Sequence, residues 1–559
     1  MKNNTLIIRQ KTVQICTAIA VVLVGLLFAM ISVYSILQTC RFDAANPAAE
    51  NILFDNDSVI TNIGLIVLTI LGLLVLIRKN VHLSKVNTKL VVGIMLVIVT
   101  TLSVIWVTTV KSLASGETQT MLTTAREAAE GKYDRFTAPY SGDYSYYQFY
   151  PFQLGYVFFA QILYSIFGTQ STEQLFQIIN VIALDFAYVA LVMITNRLFK
   201  RKAVTNMTAV TLVCCFQPMF ITTLTNGVLI GLALALWAVF FTLRFMQDDK
   251  LLFAGLSVLL ITLSVLIKYT YMVVLIALVI ALILHIIDKV KLISLAIAAL
   301  MILCPIGLQM VLEQSYGAKS GAAINTRVTN TLYAYMGVTE EDSSSRYGGW
   351  FSFISVNTLT NHQLDESAAD KEADAAIKER RDQLKKEGRL VEFYSSKLLS
   401  EINEPSFQSI WVSQVHEHDF PEASIENPDP FPKFAKSVYT GGLSRVFDRW
   451  FNYYNMIIFI GFTAGMVWLI VRKKLNAGMV ILPSAVFGGL LYHTICEAKS
   501  QFMLPFFVML IPFAVYGILE SIQALRKKTD FLFHQNRAVD ADDSGDAGTE
   551  IDDNQETAI

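Results

Sequence analysis

Long apolar runs separated by short, mostly basic stretches set the rhythm of this chain. A run of about 18 or more apolar residues can cross a bilayer core of about 30 Å as a helix. The runs predict spans near 13–37, 60–77, 90–110, 174–196, 204–223, 226–243, 251–267, 270–287, 291–312, 454–471, 478–495 and 503–524. That is about twelve. The first, Val13 to Leu37, is too long for the 7–15-residue apolar core of a cleavable signal and lacks a clear cleavage site, so it reads as an anchor.

The polar stretches set the orientation. Basic clusters occur at Lys2/Arg9/Lys11, Arg78/Lys79/Lys85/Lys89, Arg197/Lys200/Arg201/Lys202, Lys289/Lys291, Arg472/Lys473/Lys474 and Arg526/Lys527/Lys528. Lysine and arginine concentrate on the cytoplasmic side of membrane proteins. With both termini cytoplasmic, every cluster falls on that side, provided the run Tyr156–Phe167 does not cross. At about twelve residues it is short for a span, and its aromatics suit a helix at the outer headgroup boundary.

The chain then divides into a two-span extension (1–88), a membrane core (89–312) holding a first outer loop at 111–172, an extracytoplasmic region (313–453), C-terminal spans (454–528) and a tail (529–559). The tail carries nine acidic residues, one arginine and little apolar content, the composition of a disordered cytoplasmic segment. Within the second outer region, Leu364 to Glu401 is polar and helix-prone, with Asp374/Lys378 and Asp382/Lys386 at i,i+4 spacing. It reads as a solvated helix without chemistry.

Composition agrees with the pattern. Hydrophobic residues make up 54% and charged residues 16%, against about 25% charged in soluble domains. The expected fold is an all-α polytopic membrane protein with outer-face juxtamembrane helices and a mainly helical extracytoplasmic region. Six cysteines sit in or beside apolar segments with no CxxC or Cys/His spacing, which indicates neither a disulfide framework nor a zinc site. Nothing points to nucleic acid.

Candidate chemistry lies at the outer ends of the spans. Glu117 comes just after one, and the stretch YYQFYPFQLG, with Tyr147, Tyr150 and Gln153 as candidate sugar contacts, lies further along the same loop. A carboxylate enclosed beside an aromatic wall would have its pKa raised and could serve as a general base, while the rings stack on sugar faces. The plainer role for Glu117 is to stabilise a helix N-terminus. Asp134 and Asp143 are reserve carboxylates in the same loop. A second cluster, YHTICEAKSQFMLP, holds Lys499 together with His493, Glu497 and Gln501, the last three candidate sugar or acceptor contacts. Lys499 and Lys268, both at outer ends, could bind a lipid phosphate or simply snorkel to the interface. Arg327, Arg346, Lys397 and Arg445 are outer-loop cations, ordinary solvated charges in the main, with Arg346 a further phosphate candidate. Trp350 adds an aromatic beside flexible glycines.

Taken in order, these segments resemble the GT-C superfamily of membrane glycosyltransferases, in particular its protein O-mannosyltransferase-like and aminoarabinose transferase-like branch in Gram-positive bacteria. YPFQLGYVFF is similar to that branch's YPPL-type juxtamembrane helix, with the proline pair reduced to Pro151-Phe152. FYSSKLLSEINEPSFQSIW and YHTICEAKSQFMLPFFVMLIPFAVYGI are similar to further segments, so the resemblance spans about Lys89 to Lys528. It implies transfer of a sugar, with inversion, from a polyprenyl-phosphate carrier to an envelope glycan, glycolipid or protein at the outer face, with neither metal nor cofactor. An acidic loop residue would act as base or position the acceptor, and basic residues would hold the lipid phosphate. The family's aspartate falls where this chain reads Glu117-Thr118-Gln119, which leaves the base assignment open among Glu117, Asp134 and Asp143.

Two other functions compete. A polysaccharide polymerase or ligase, taking a pyrophosphate-linked oligosaccharide, would favour paired outer-loop arginines. A transporter would carry ionisable residues in mid-span or inverted repeats with broken helices. The spans are almost free of charge, and the conspicuous polar groups lie at their outer ends.

Overall fold

The computed structural model describes residues 2–42, 52–78, 83–110, 112–340, 352–411, 433–439 and 441–542. Among them, nine helices are long and apolar enough to cross a membrane, from Ile7–Leu37 to Ser500–Arg526. A tenth is formed if Lys202–Val213 and Gln217–Thr223, bent by 50°, count as one span. The expected span at 60–77 is the helix Val59–Arg78, of which the shorter apolar stretch Val59–Val75 is described in full, and the expected span at 251–267 is the shorter helix Leu251–Ile267; Pro151–Phe167 is likewise short. The chain is thus an all-α, multi-pass membrane protein. Two two-stranded hairpins are the only sheet among the described residues.

Composition decides which helices lie inside. A helix that is apolar all round is buried on all sides. In the helix Ser500–Asp542, Phe506, Phe507, Val508, Met509, Leu510 and Ile511 are all fully buried. At the periphery, Ile293–Ser320 exposes Leu295, Leu303 and Val311, a face suited to lipid.

The bend after Val213 has a chemical cause. Pro218 supplies no N–H, so the helical ladder fails there. Orphaned carbonyls in an apolar setting need other donors. Tyr454 donates to Thr211 O at 2.9 Å, Trp450 Nε1 to Cys214 O at 3.0 Å and the Tyr188 hydroxyl to Cys215 O at 3.2 Å.

Charges collect at one end of the bundle. Arg201 and Arg472 both pair with Glu520, Arg197 and Arg244 with Asp248, and Lys291 with Asp249. The basic clusters at 197–202, 289–291 and 472–474 therefore each find acidic partners.

The region 313–453 departs from expectation in three ways. The flanking helices are longer than the predicted spans, running to Ser320 and starting at Gly442. The polar stretch 364–401 is two helices, Glu366–Lys386 and Leu390–Ile402, broken at Gly388 with φ +70°. Lys397, expected in solvent, is fully buried. The second of these helices packs against Ile481–Ile495 and the Ser500–Asp542 helix, so a lysine on its inner face has nowhere else to go. An N-terminal hairpin without a clear sequence signal, Gln38–Phe42 with Ile52–Asn56, hydrogen-bonds through Cys40 N and Gln38 O to Asn403. At the C-terminus the last helix runs to Asp542, into the segment expected to be a tail, and 543–559 lie outside the described residues.

Candidate functional site

The helix Gly116–Ala129 buries Thr118, Met121, Leu122, Ala125 and Ala128 against its neighbours, chiefly the helix Leu154–Phe167. That packing turns Thr118 inward and leaves the Glu117 side chain half-exposed. Glu117 is therefore the carboxylate presented by this segment, but in an open setting rather than the enclosed one expected. Its Oε1 lies 3.8 Å from Lys268 Nζ, and Gln153 Nε2 approaches its Oε2 at 3.5 Å.

Lys268 is placed by a break in the chain. The helix Leu251–Ile267 ends on it in extended conformation, and a short turn, Tyr269–Tyr271, leads into Met272–Lys289. Its side chain is mostly covered and directed at Glu117. Snorkelling alone would send it to the interface.

The stretch YYQFYPFQLG does three jobs. Gln148 Oε1 accepts from Ser145 N at 2.9 Å and closes the first turn. Pro151 opens a second, tighter turn that ends on Gln153. Gly155 allows this turn to touch the end of Leu251–Ile267: a Cβ there would stand 2.0 Å from Leu266 O. Gln153, two residues before that contact, and Lys268, two residues after Leu266, are thereby brought to the same carboxylate.

The tyrosines divide. Tyr150 is nearly buried and shares a hydroxyl hydrogen bond with Tyr140. Burial holds its phenol well above the usual range, and Tyr140, Glu497 and Glu117 act in the same direction. Glu497 and Glu117 thus both act on Tyr150. Tyr147 is not part of the wall: it is fully buried, its ring 4.9 Å from that of Phe136, because it sits on the core side of the Tyr146–Phe149 turn.

His493 also departs from its expected role as a ligand-facing group. It is buried, donates from Nδ1 to Glu497 O at 2.9 Å, and stacks on Phe502 at 4.9 Å. Gln501 lines a crevice with Lys268, Asn226, Thr270 and Phe502. The crevice has about 20 Å³ of room, enough for about one water molecule. Lys499 is half-buried in the non-helical linker between Ile495 and Ser500.

The reserve carboxylates lie elsewhere. Asp134 belongs to a charged cleft of about 620 Å³ with Arg126, Glu127, Glu130, Lys132 and Arg135. Asp143 is exposed at the tip of the hairpin Pro139–Ser141/Tyr144–Ser145. Arg346 and Trp350 fall outside the described residues. Among the described residues, no group of three His, Cys, Asp or Glu side chains could hold a metal ion.

Several polar residues carry no signal in the sequence. Tyr140 is there only an aromatic in a loop. Lys397, Glu401 and Glu404 are buried at the junction of Leu390–Ile402 with the membrane helices. Glu404 accepts from Ser406 N, Ser406 Oγ, Gln408 N and Ser500 Oγ, and Glu401 has neither oxygen hydrogen-bonded. Asp185, midway along Glu173–Phe199, accepts from Thr100 at 2.5 Å.

No protein-family model matches this chain, and a search of curated proteins finds no match. The chemistry available is that of a half-exposed carboxylate, a covered lysine and a carboxamide meeting at helix ends, under a tyrosine-rich wall.

Proposed function

We propose that this protein is a GT-C-type glycosyltransferase that moves a sugar from a polyprenyl-phosphate donor to a cell-envelope acceptor. In this reading the chain has twelve spans, counting the bent pair and the two shorter helices, with both termini cytoplasmic and Glu117 at the outer face. The observation that carries it is the meeting of Glu117, Lys268 and Gln153 beside Tyr150.

A prenyl phosphate leaves readily, so few groups are needed. An acceptor hydroxyl attacks the anomeric carbon, the bond from that carbon to the phosphate oxygen breaks, and the configuration inverts. Glu117 takes the hydroxyl proton. Lys268 stabilises the charge on the departing phosphate. Gln153 and the Tyr150–Tyr140 pair offer hydrogen bonds and faces to the sugar, with Glu497 and Gln501 on the far side. Asp185 is one mid-span carboxyl, bonded to Thr100 rather than to a cation, and the three groups at the helix ends favour chemistry there.

The test uses membranes carrying wild type or Glu117→Gln and a panel of labelled polyprenyl-phosphate sugars. Label should leave the lipid and appear in an envelope fraction with wild type, and fall by roughly a hundredfold or more in the variant. Undiminished transfer in the variant would move the base to Glu497, which shares Tyr150. No transfer by wild type from any carrier would defeat the reading.

A further inference from the structure

Among the described residues, Lys397 is the most deeply buried lysine outside the spans, 0% exposed, on the helix Leu390–Ile402. Its ammonium donates to Gly337 O at 2.8 Å and to Cys496 O. These carbonyls belong to the ends of two different helices, Asn330–Val338 and Ile481–Ile495. Terminal carbonyls lack intrahelical partners and carry partial negative charge, so one cation satisfies both ends. The ends are in backbone contact as well: a Cβ on Gly337 would stand 2.0 Å from Ile495 O and 2.6 Å from Cys496 O.

The chain just beyond Cys496 gives this arrangement its meaning. Glu497-Ala498-Lys499 links two membrane helices and lies outside both, with Lys499 O accepting from Phe502 N at 3.0 Å. Side chains tie down the rest. Lys397 takes Cys496 O, His493 takes Glu497 O at 2.9 Å, and Ser500 Oγ donates to Glu404 Oε2 at 2.8 Å. Two of these ties, from Lys397 and Glu404, come from the 390–404 segment. The linker carries Glu497 and Lys499, and Gln501 lies on the first turn after it, lining the crevice with Lys268.

A buried ammonium carries a large desolvation penalty, and an apolar side chain of similar length would pack there without it. Glu401, one turn further along and also buried, offsets part of that penalty. We propose that Lys397 is a positioning residue: it fixes the Cys496–Ser500 linker so that Gln501 is held against Lys268, beside the bound donor. This rests on the glycosyltransferase reading.

The experiment compares wild type with Lys397→Met in detergent micelles, after size-exclusion chromatography shows both folded. The donor KM should rise by roughly tenfold or more while kcat stays within a few-fold, since the chemical groups are untouched. Amide exchange at 497–499 should quicken in the variant while the helix Leu390–Ile402 keeps its protection. A folded variant with unchanged KM and unchanged exchange at the linker would overturn the proposal. A fall in kcat alone would also overturn it, as the mark of a general structural loss.

If the variant does not fold, wild type decides. Adding polyprenyl phosphate, the leaving group itself, should slow exchange at 497–500, and no slowing would overturn the proposal. The two readings fail separately. Wild type that transfers no sugar defeats the enzyme reading. Wild type that transfers, with an indifferent linker, defeats only this one.

Discussion

Gly155→Ala adds one methyl group where the backbone of the Leu154–Phe167 helix meets the end of Leu251–Ile267. The new carbon would lie 2.0 Å from Leu266 O, 2.6 Å from its carbon and 3.0 Å from its Cα, where ordinary contact begins near 3.4 Å. Each obstacle is backbone, so no rotamer change relieves the clash, and the two segments must part by about 1.4 Å. Overpacking of this kind costs about 1–3 kcal/mol. The functional loss should be larger, because Gln153 and Lys268 each lie two residues from the contact. Their distances to Glu117, 3.5 and 3.8 Å, have no slack for such a shift. A displacement of about 1 Å can lower a rate by about a hundredfold. The assay is thermal unfolding in detergent together with sugar transfer at saturating donor. Gly255→Ala is the control: it lies on the same Leu251–Ile267 helix with nothing within 4 Å of its would-be Cβ, and should be neutral or stabilise by up to about 1 kcal/mol. If Gly155→Ala matched wild type in both stability and transfer, the close approach would not be what sets the site.

Asp134→Asn and Asp143→Asn should leave transfer and stability nearly unchanged, within about 0.5 kcal/mol, because one lies in a separate cleft and the other at an exposed hairpin tip; a large loss in either would reopen the choice of base. Glu404→Ala should destabilise the fold by about 3–5 kcal/mol, read by chemical unfolding, since it strips the acceptor from two backbone amides and two serine hydroxyls in a buried site. Burial holds Lys397 down to about 8 from its ordinary 10.5, with Glu401, Cys496 and Glu497 acting against that shift. The unfolded chain therefore binds this proton more tightly than the folded one, and the lysine's contribution is complete above pH 10.5 and lost as pH falls through 8. The advantage of wild type over Lys397→Met should accordingly grow between those limits, by up to about 3 kcal/mol, and a flat difference would show the lysine to be unperturbed.

The spans are legible because crossing a membrane demands a long apolar run, and the sequence shows that demand directly. The bent pair reads as one span because Pro218 sits inside an otherwise unbroken run. The segment Tyr156–Phe167 reads as too short to cross, from its length and from the sign of the flanking charges. Burial in the 390–404 region is not legible: a lysine among serines and glutamates reads as solvated until another helix covers it. The same blindness groups the aromatic stretch wrongly, since Tyr147 and Tyr150 are chemically alike and only the Tyr146–Phe149 turn sends one against Phe136 and the other towards Tyr140. Glu117 and Lys268 stand out one at a time, each at a helix end. Their meeting depends on Gly155, whose importance lies in what it lacks.

Lys268 looks both ways, towards Glu117 on an open side and towards Gln501 on a closed one. The space on the closed side takes about one water molecule. A phosphate arriving from that side must first find the protein in a rarer, wider state, and a ligand's measured affinity falls in proportion to the fraction of molecules in that state.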